Sequence, residues 1–164
     1  MDSIQLHQVE IDPEKLGDYN LSSTMEWLLT NGIGGYASGT IAGSLTRRYH
    51  GLLVAPVDLP LGRKLLLTKA DISLIIDDEV FALHTNSWHE GEVVPEGYQY
   101  LERFYLDGNL PVWQFKVGEI VLELRNWMTH GKNQTAMAVR VRNSVNTEHN
   151  LKLKANIIVS FRDH

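Results

Sequence analysis

The chain has 164 residues, 43% of them hydrophobic and 21% charged, with a net charge of −5. That is one domain of ordinary size, or most of one, with enough apolar residues for a proper core. The acidic balance excludes non-specific nucleic-acid binding. The absence of cysteine excludes disulfides and thiolate metal sites.

The N-terminus, MDSIQLHQVEIDPEK, has neither the basic flank nor the apolar stretch of a signal peptide. No apolar run approaches the roughly 20 residues of a membrane helix. A cytoplasmic protein with no membrane partner is expected. Ser23 to Leu29 is predicted as a short helix, capped by Ser23 or Thr24.

Six of the 13 glycines then fall between Asn31 and Gly51. Glycine at that density has a backbone reason: a positive φ, a tight turn or a close approach. Gly32, Gly34, Gly35 and Gly39 are therefore read as backbone-shaping. Directly behind them comes Thr46-Arg47-Arg48-Tyr49-His50-Gly51.

Two mechanisms compete for this stretch. Gly32-Ile33-Gly34-Gly35-Tyr36-Ala37 fits G-x-G-x-x-A, the dinucleotide fingerprint, with Asp58 as the ribose acid. Against it, the would-be helix Ala37 to Leu45 holds Gly39 and Gly43, each costing about 1 kcal/mol relative to Ala. No further βαβ unit follows, so a dinucleotide-binding domain is only a distant alternative. The favoured mechanism is a glycine-paved turn that presents Arg47, Arg48, Tyr49 and His50 for polar recognition. The bland alternative is a compact connection in which Arg47 or Arg48 pairs with a nearby carboxylate.

The remainder reads as antiparallel β. From Leu66 the even positions Ala70, Ile72, Leu74 and Ile76 alternate with Lys69, Asp71, Ser73 and Asp77. Asp77-Asp78 makes a turn and Val80 to Leu83 returns. Residues 87–100 have no period and are predicted as a long loop holding Trp88, Tyr98 and Tyr100. Trp113, Phe115 and Val117 share a face; Ile120, Leu122 and Leu124 repeat the pattern, as do Met137, Val139 and Val141. The last run, Leu151, Leu153, Ala155, Ile157, Val159 and Phe161, alternates most clearly. Short turns between such strands mean a meander or sandwich with one buried and one wetter face per sheet. The strand ending abruptly at Phe161-Arg162-Asp163-His164 suggests a fragment of a longer protein, truncated at its C-terminal end.

Chemistry by the chain alone is not expected. Glycoside hydrolysis takes two carboxyl groups about 5–9 Å apart. Glu26, Glu90, Glu92, Glu96 and Asp163 are candidates by type, but their spacing makes no pair. His84 and His89 lack helical spacing, so no metal and no cofactor are expected. Sugar binding is more plausible, through Trp88 or through Tyr49 with Arg48 and His50. Trp27, Trp113 and Trp127 are expected in the core.

Glu26-Trp27-Leu28-Leu29-Thr30-Asn31-Gly32-Ile33-Gly34-Gly35-Tyr36-Ala37-Ser38-Gly39-Thr40, followed by Thr46 to Val54, resembles the N-terminal domain of prokaryotic glycogen debranching enzymes of the amylo-α-1,6-glucosidase type. The likeness continues through Pro60-Leu61-Gly62-Arg63 and returns at Phe161-Arg162-Asp163-His164. The resemblance implies a large, supersandwich-like β-sandwich filling residues 1–164. It implies a downstream (α/α)6 barrel in the same polypeptide, which carries the catalytic carboxylates and cuts α-1,6 branches of glycogen-like glucans. It also implies a domain longer than this chain. On that basis the module supports or completes the barrel's active site; the alternative is an α-glucan-binding module. Arg47, Arg48, Tyr49, His50 and Trp88 are the residues expected to touch substrate or interface.

Overall fold

A computed structural model describes residues 9–58, 62–143 and 149–164. The chain opens with β1 (Glu10–Ile11), α1 (Pro13–Leu16) and α2 (Tyr19–Ser22). Each single-turn helix begins under an Asp cap: Asp12 and Asp18 accept from the amides of Glu14 and Asn20. Next come β2 (Glu26–Thr30), β3 (Tyr36–Thr40), β4 (Gly51–Asp58), β5 (Gly62–Ile76) and β6 (Glu79–Ala82). A small hairpin of β7 (Thr85–Ser87) and β8 (Val93–Glu96) precedes the long meander β9 (Leu101–Asp107), β10 (Leu110–Val117), β11 (Ile120–Met128) and β12 (Thr135–Asn143). β13 (Leu151–Asp163) closes the described chain.

Apart from the two-stranded β7-β8 hairpin, these strands make two large antiparallel sheets. One runs β1-β9-β10-β11-β12; the other runs β13-β5-β4-β3-β2, with β6 also on β5. Trp27, Leu29, Ala37, Leu52 and Leu74 of the second sheet meet Phe104, Trp113, Phe115, Leu122 and Met128 of the first in one buried cluster. Trp113 is its pivot. It packs edge-on against Trp27 and Phe104, at centroid distances of 5.4 and 5.2 Å. Its indole N–H donates to the Ile41 carbonyl at 3.0 Å, so a large aromatic is buried without stranding its donor. The fold is thus the all-β sandwich that the alternation implies.

Four sequence expectations need correction. Ser23 to Leu29 is not a helix: α2 ends at Ser22 and Glu26–Thr30 is strand. Trp27 and Leu29 are buried while Glu26, Leu28 and Thr30 are exposed, a period of two that a five-residue stretch beside Trp113 satisfies better than one helical turn. Residues 87–100 are not an open loop but hold β8 and two 3₁₀ turns, His89–Gly91 and Gly97–Tyr100. Trp127 is half-buried, because β11 turns Asn126 and Met128 inward instead. Finally, β13 keeps its alternation without the burial. Leu153, Ile157, Val159 and Phe161 are all exposed, since among the described residues nothing covers either face of most of β13.

β5 departs from the wetter-face expectation as well. Lys69, Asp71 and Ser73 alternate with Ile72 and Leu74 yet are buried too. Lys69 Nζ reaches Asp71 Oδ1 at 2.9 Å and donates to the Thr85 carbonyl and Asn86 Oδ1, both at 2.5 Å. Burial pushes its pKa down, and Asp71 pulls it back. A polar face is sealed here by bringing its own partners.

Candidate functional site

The glycine segment is a hairpin turn between β2 and β3, with no helix after it, so the dinucleotide alternative loses its structural basis. Asn31 builds the turn. Fully buried, it accepts from the amides of Ile33 (3.1 Å) and Gly35 (2.8 Å) and donates to the Lys132 carbonyl (3.0 Å) and Asn133 Oδ1 (2.9 Å). One side chain thereby ties the turn to the β11–β12 connection of the other sheet. Gly32 (φ +78°) and Gly34 (φ +92°) supply the left-handed backbone; at Gly32 a Cβ would also lie 2.4 Å from the His130 ring. Gly35 is needed because a Cβ would lie 2.4 Å from Asn31 Nδ2. Gly39 instead clears space for Trp27.

The Thr46–His50 loop lies over the outer face of β2 and β3. Arg47, Arg48 and Tyr49 are exposed. His50 is not: at 1% exposure it can touch no substrate. Its Nδ1 accepts two backbone amides, those of Thr46 (3.1 Å) and Arg47 (3.2 Å). An atom receiving two N–H donors carries no proton, so the neutral ring is protonated on Nε2. That Nε2 lies 3.3 Å from Glu26 Oε1. Desolvation lowers the His50 pKa, with Glu26 opposing, which keeps the neutral tautomer in place.

Glu26 is the centre of this arrangement. The Tyr49 hydroxyl donates to both of its oxygens, at 3.2 and 3.0 Å, and Arg47 Nε lies 3.6 Å from Oε1. Tyr49 in turn has its pKa raised, chiefly by that hydrogen bond. Sequence separation hides the cluster, because Glu26 meets partners more than 20 positions away.

A second group adjoins it. Tyr36 Oη lies 3.1 Å from the Tyr49 carbonyl and 2.5 Å from His164 Nε2. The carbonyl can only accept, so Tyr36 donates there and His164 Nε2 donates to Tyr36. Burial raises the Tyr36 pKa. Three guanidinium groups are held by neutral carbonyls: Arg63 Nε by Gly34 (2.8 Å), Arg162 by Arg48 (2.5 Å) and Arg48 by Asp163 (3.5 Å). The Asp163 carboxylate pairs with Lys64 at 2.6 Å, which lowers its pKa. Cross-strand register explains the gathering: Tyr36 is opposite Val54, Val54 opposite Leu65, and Leu65 opposite Arg162.

Between the two groups lies an open groove of about 710 Å³, lined by Glu26, Leu28, Thr30, Tyr49, Arg63 and His164 among others. Glu26 is the carboxylate among its lining residues. An acid–base pair for glycoside hydrolysis needs a second one. Glu96 instead accepts from Tyr98 (3.2 Å) and Gln99 (2.8 Å) on another part of the chain. No group of three or more potential metal ligands occurs among the described residues.

Residues 25–164 match the family model for the N-terminal domain of glycogen debranching enzyme. The chain belongs to that family. No curated protein and no solved structure matches it significantly.

The glycogen debranching N-terminal match runs from the residue before β2 to the end of the described chain. It therefore takes in the glycine turn, the Thr46–His50 loop and β13, and leaves out β1, α1 and α2. Trp88 falls inside it but apart from the groove. It is 59% exposed, and its indole donates to the Val94 carbonyl at 2.8 Å within its own hairpin. Tyr98 packs on Tyr19, and Tyr100 on Phe81. Pro60 and Leu61 lie outside the described residues.

Proposed function

We propose that this domain is the non-catalytic N-terminal part of an amylo-α-1,6-glucosidase. In this reading an (α/α)6 barrel further along the same polypeptide hydrolyses the branch linkage of a glycogen-like glucan. The outer face around Arg47, Arg48, Tyr49 and Glu26 supports or completes its active site. One observation carries the reading: the Tyr49 hydroxyl holds Glu26 beside the buried His50 ring, and among the described residues no second carboxylate lines its groove. A carboxylate held in one orientation suits positioning, and one alone cannot supply both acid and base.

Arg48 offers the test, because it is exposed and bonded through carbonyls alone. Arg48→Ala in the full-length enzyme should lower hydrolysis of a branched glucan several-fold and leave the melting temperature unchanged. Wild-type hydrolysis by that variant refutes the role.

A second reading is favoured by the exposed rings of Tyr49 and Trp88: a module that grips α-glucan itself. Titration of the chain with glycogen separates the two, since a pure support domain leaves tryptophan fluorescence unmoved.

A further inference from the structure

The groove on the outer face has a specific polarity. At one end the Glu26 carboxylate is an acceptor. Its Oε1 is crowded by Tyr49, His50 and Arg47, whereas Oε2 has Tyr49 as its partner. A carboxylate oxygen accepts about two hydrogen bonds, so Oε2 has room for one more donor. At the other end Arg63 spends Nε on the Gly34 carbonyl and keeps its two amino groups as donors. Between them lie apolar surfaces, Leu28 at 62% exposure and the Tyr49 ring at 41%. Strand register puts Glu26, Leu28 and Thr30 in a row on this face, opposite Thr40, Ser38 and Tyr36.

The chemistry of the ends narrows the ligand. An anion meets Glu26, and a cation meets Arg63. A purely apolar ligand desolvates both without returning a hydrogen bond. A neutral molecule with hydroxyl groups on its rim and C–H faces satisfies acceptor, donor and apolar floor together. That is the character of a sugar ring. The effort spent on Glu26 points the same way, for a carboxylate serving only solubility needs no buried imidazole behind it.

We propose that this groove binds a glucosyl segment of α-glucan, with Glu26 accepting from its hydroxyls, Arg63 donating to them, and Leu28 and Tyr49 packing on the ring faces. This rests on the reading of the chain as part of a glucan-debranching protein, and it names the site and the residues. Glu26 is a binding residue here and takes no part in bond cleavage.

The test is NMR titration of the 164-residue chain with maltoheptaose. The expected result is saturable movement of the Leu28, Gly35 and Tyr49 amide resonances, with Glu26→Ala binding at least about tenfold more weakly, equivalent to about 1.4 kcal/mol. Glu26→Gln, which keeps the shape, should also weaken binding and guards against a folding defect in the alanine variant. No movement of these resonances into the tens of millimolar overturns the proposal, and so does wild-type affinity in both variants. Failure here alongside lost hydrolysis in Arg48→Ala leaves the support role standing. Binding here alongside normal hydrolysis in Arg48→Ala removes the support role and keeps the subsite.

Discussion

His50 lies beneath Glu26, its Nε2 3.3 Å from the carboxylate and its Nδ1 occupied by the amides of Thr46 and Arg47. One ring therefore folds the loop and packs behind the acid, while the Tyr49 hydroxyl holds the carboxylate. His50→Ala removes a buried ring and strands two amides, at a cost of about 2–4 kcal/mol. Chemical denaturation should show that loss, and hydrogen exchange at Thr46 and Arg47 should quicken. Glu26→Gln should cost under about 1 kcal/mol, because Glu26 is partly solvated.

The same histidine gives a pH signature. Its folded-state pKa is lowered by burial, so between that value and the unfolded value near 6.5 the unfolded chain binds more protons. Its contribution is fully present above about pH 6.5 and is lost as pH falls through the folded pKa. The groups facing it are Glu26, Arg47 and Tyr49. Stability measured from pH 7.5 down to about 5 should decline in the wild type and decline less in His50→Gln. Parallel curves would deny the assignment. The paired carboxylates Glu10, Asp77 and Asp163 also have lowered pKa values, and their contribution disappears only below about pH 4.

Asn31 carries the glycine turn. Asn31→Ala leaves the Ile33 and Gly35 amides and the Lys132 carbonyl without their partner, for a loss of about 3–5 kcal/mol. Asn133→Ala removes one of these bonds and should cost about 1 kcal/mol. Thermal unfolding of the two variants checks the ranking; equal losses would mean that Asn31 is not the hub.

Two glycines should respond differently to a methyl group. Gly108 (φ +61°) has open space around it, so Gly108→Ala costs about 1 kcal/mol of backbone strain. Gly97→Ala would set a Cβ 2.4 Å from the Leu83 carbonyl carbon and 2.5 Å from the His84 carbonyl oxygen, backbone atoms that cannot turn aside, and should cost at least about 1 kcal/mol more. Paired denaturation curves decide it.

Much of the fold is legible in the sequence because one face of most strands is buried. Trp113, Phe115 and Val117 announce β10, and Ile120 and Leu122 announce β11. The Asp77-Asp78 turn is legible too, and both residues take positive φ there. β2 is obscured because a five-residue strand offers too few periods to exclude a helical turn. β13 misleads in the other direction: alternation is written in the chain, whereas burial depends on what covers it. For the site, composition alone points to the Arg47–His50 run. It does not reveal that His50 turns inward, nor that Glu26 becomes its partner. Tyr36, Arg63 and His164 lie in the stretches that carry the family resemblance, but nothing in the chain shows that they meet, since cross-strand register brings them together. Trp88 is a reasonable candidate by composition, but it belongs to the β7–β8 hairpin.

If the chain is part of a branch-hydrolysing enzyme, as proposed, the decisive measurement is hydrolysis of a branched limit dextrin by the full-length protein carrying Glu26→Gln. A kcat/KM at least about tenfold below wild type, with an unchanged melting temperature, is the result expected if the outer face serves the debranching reaction. A kcat/KM equal to wild type would contradict it.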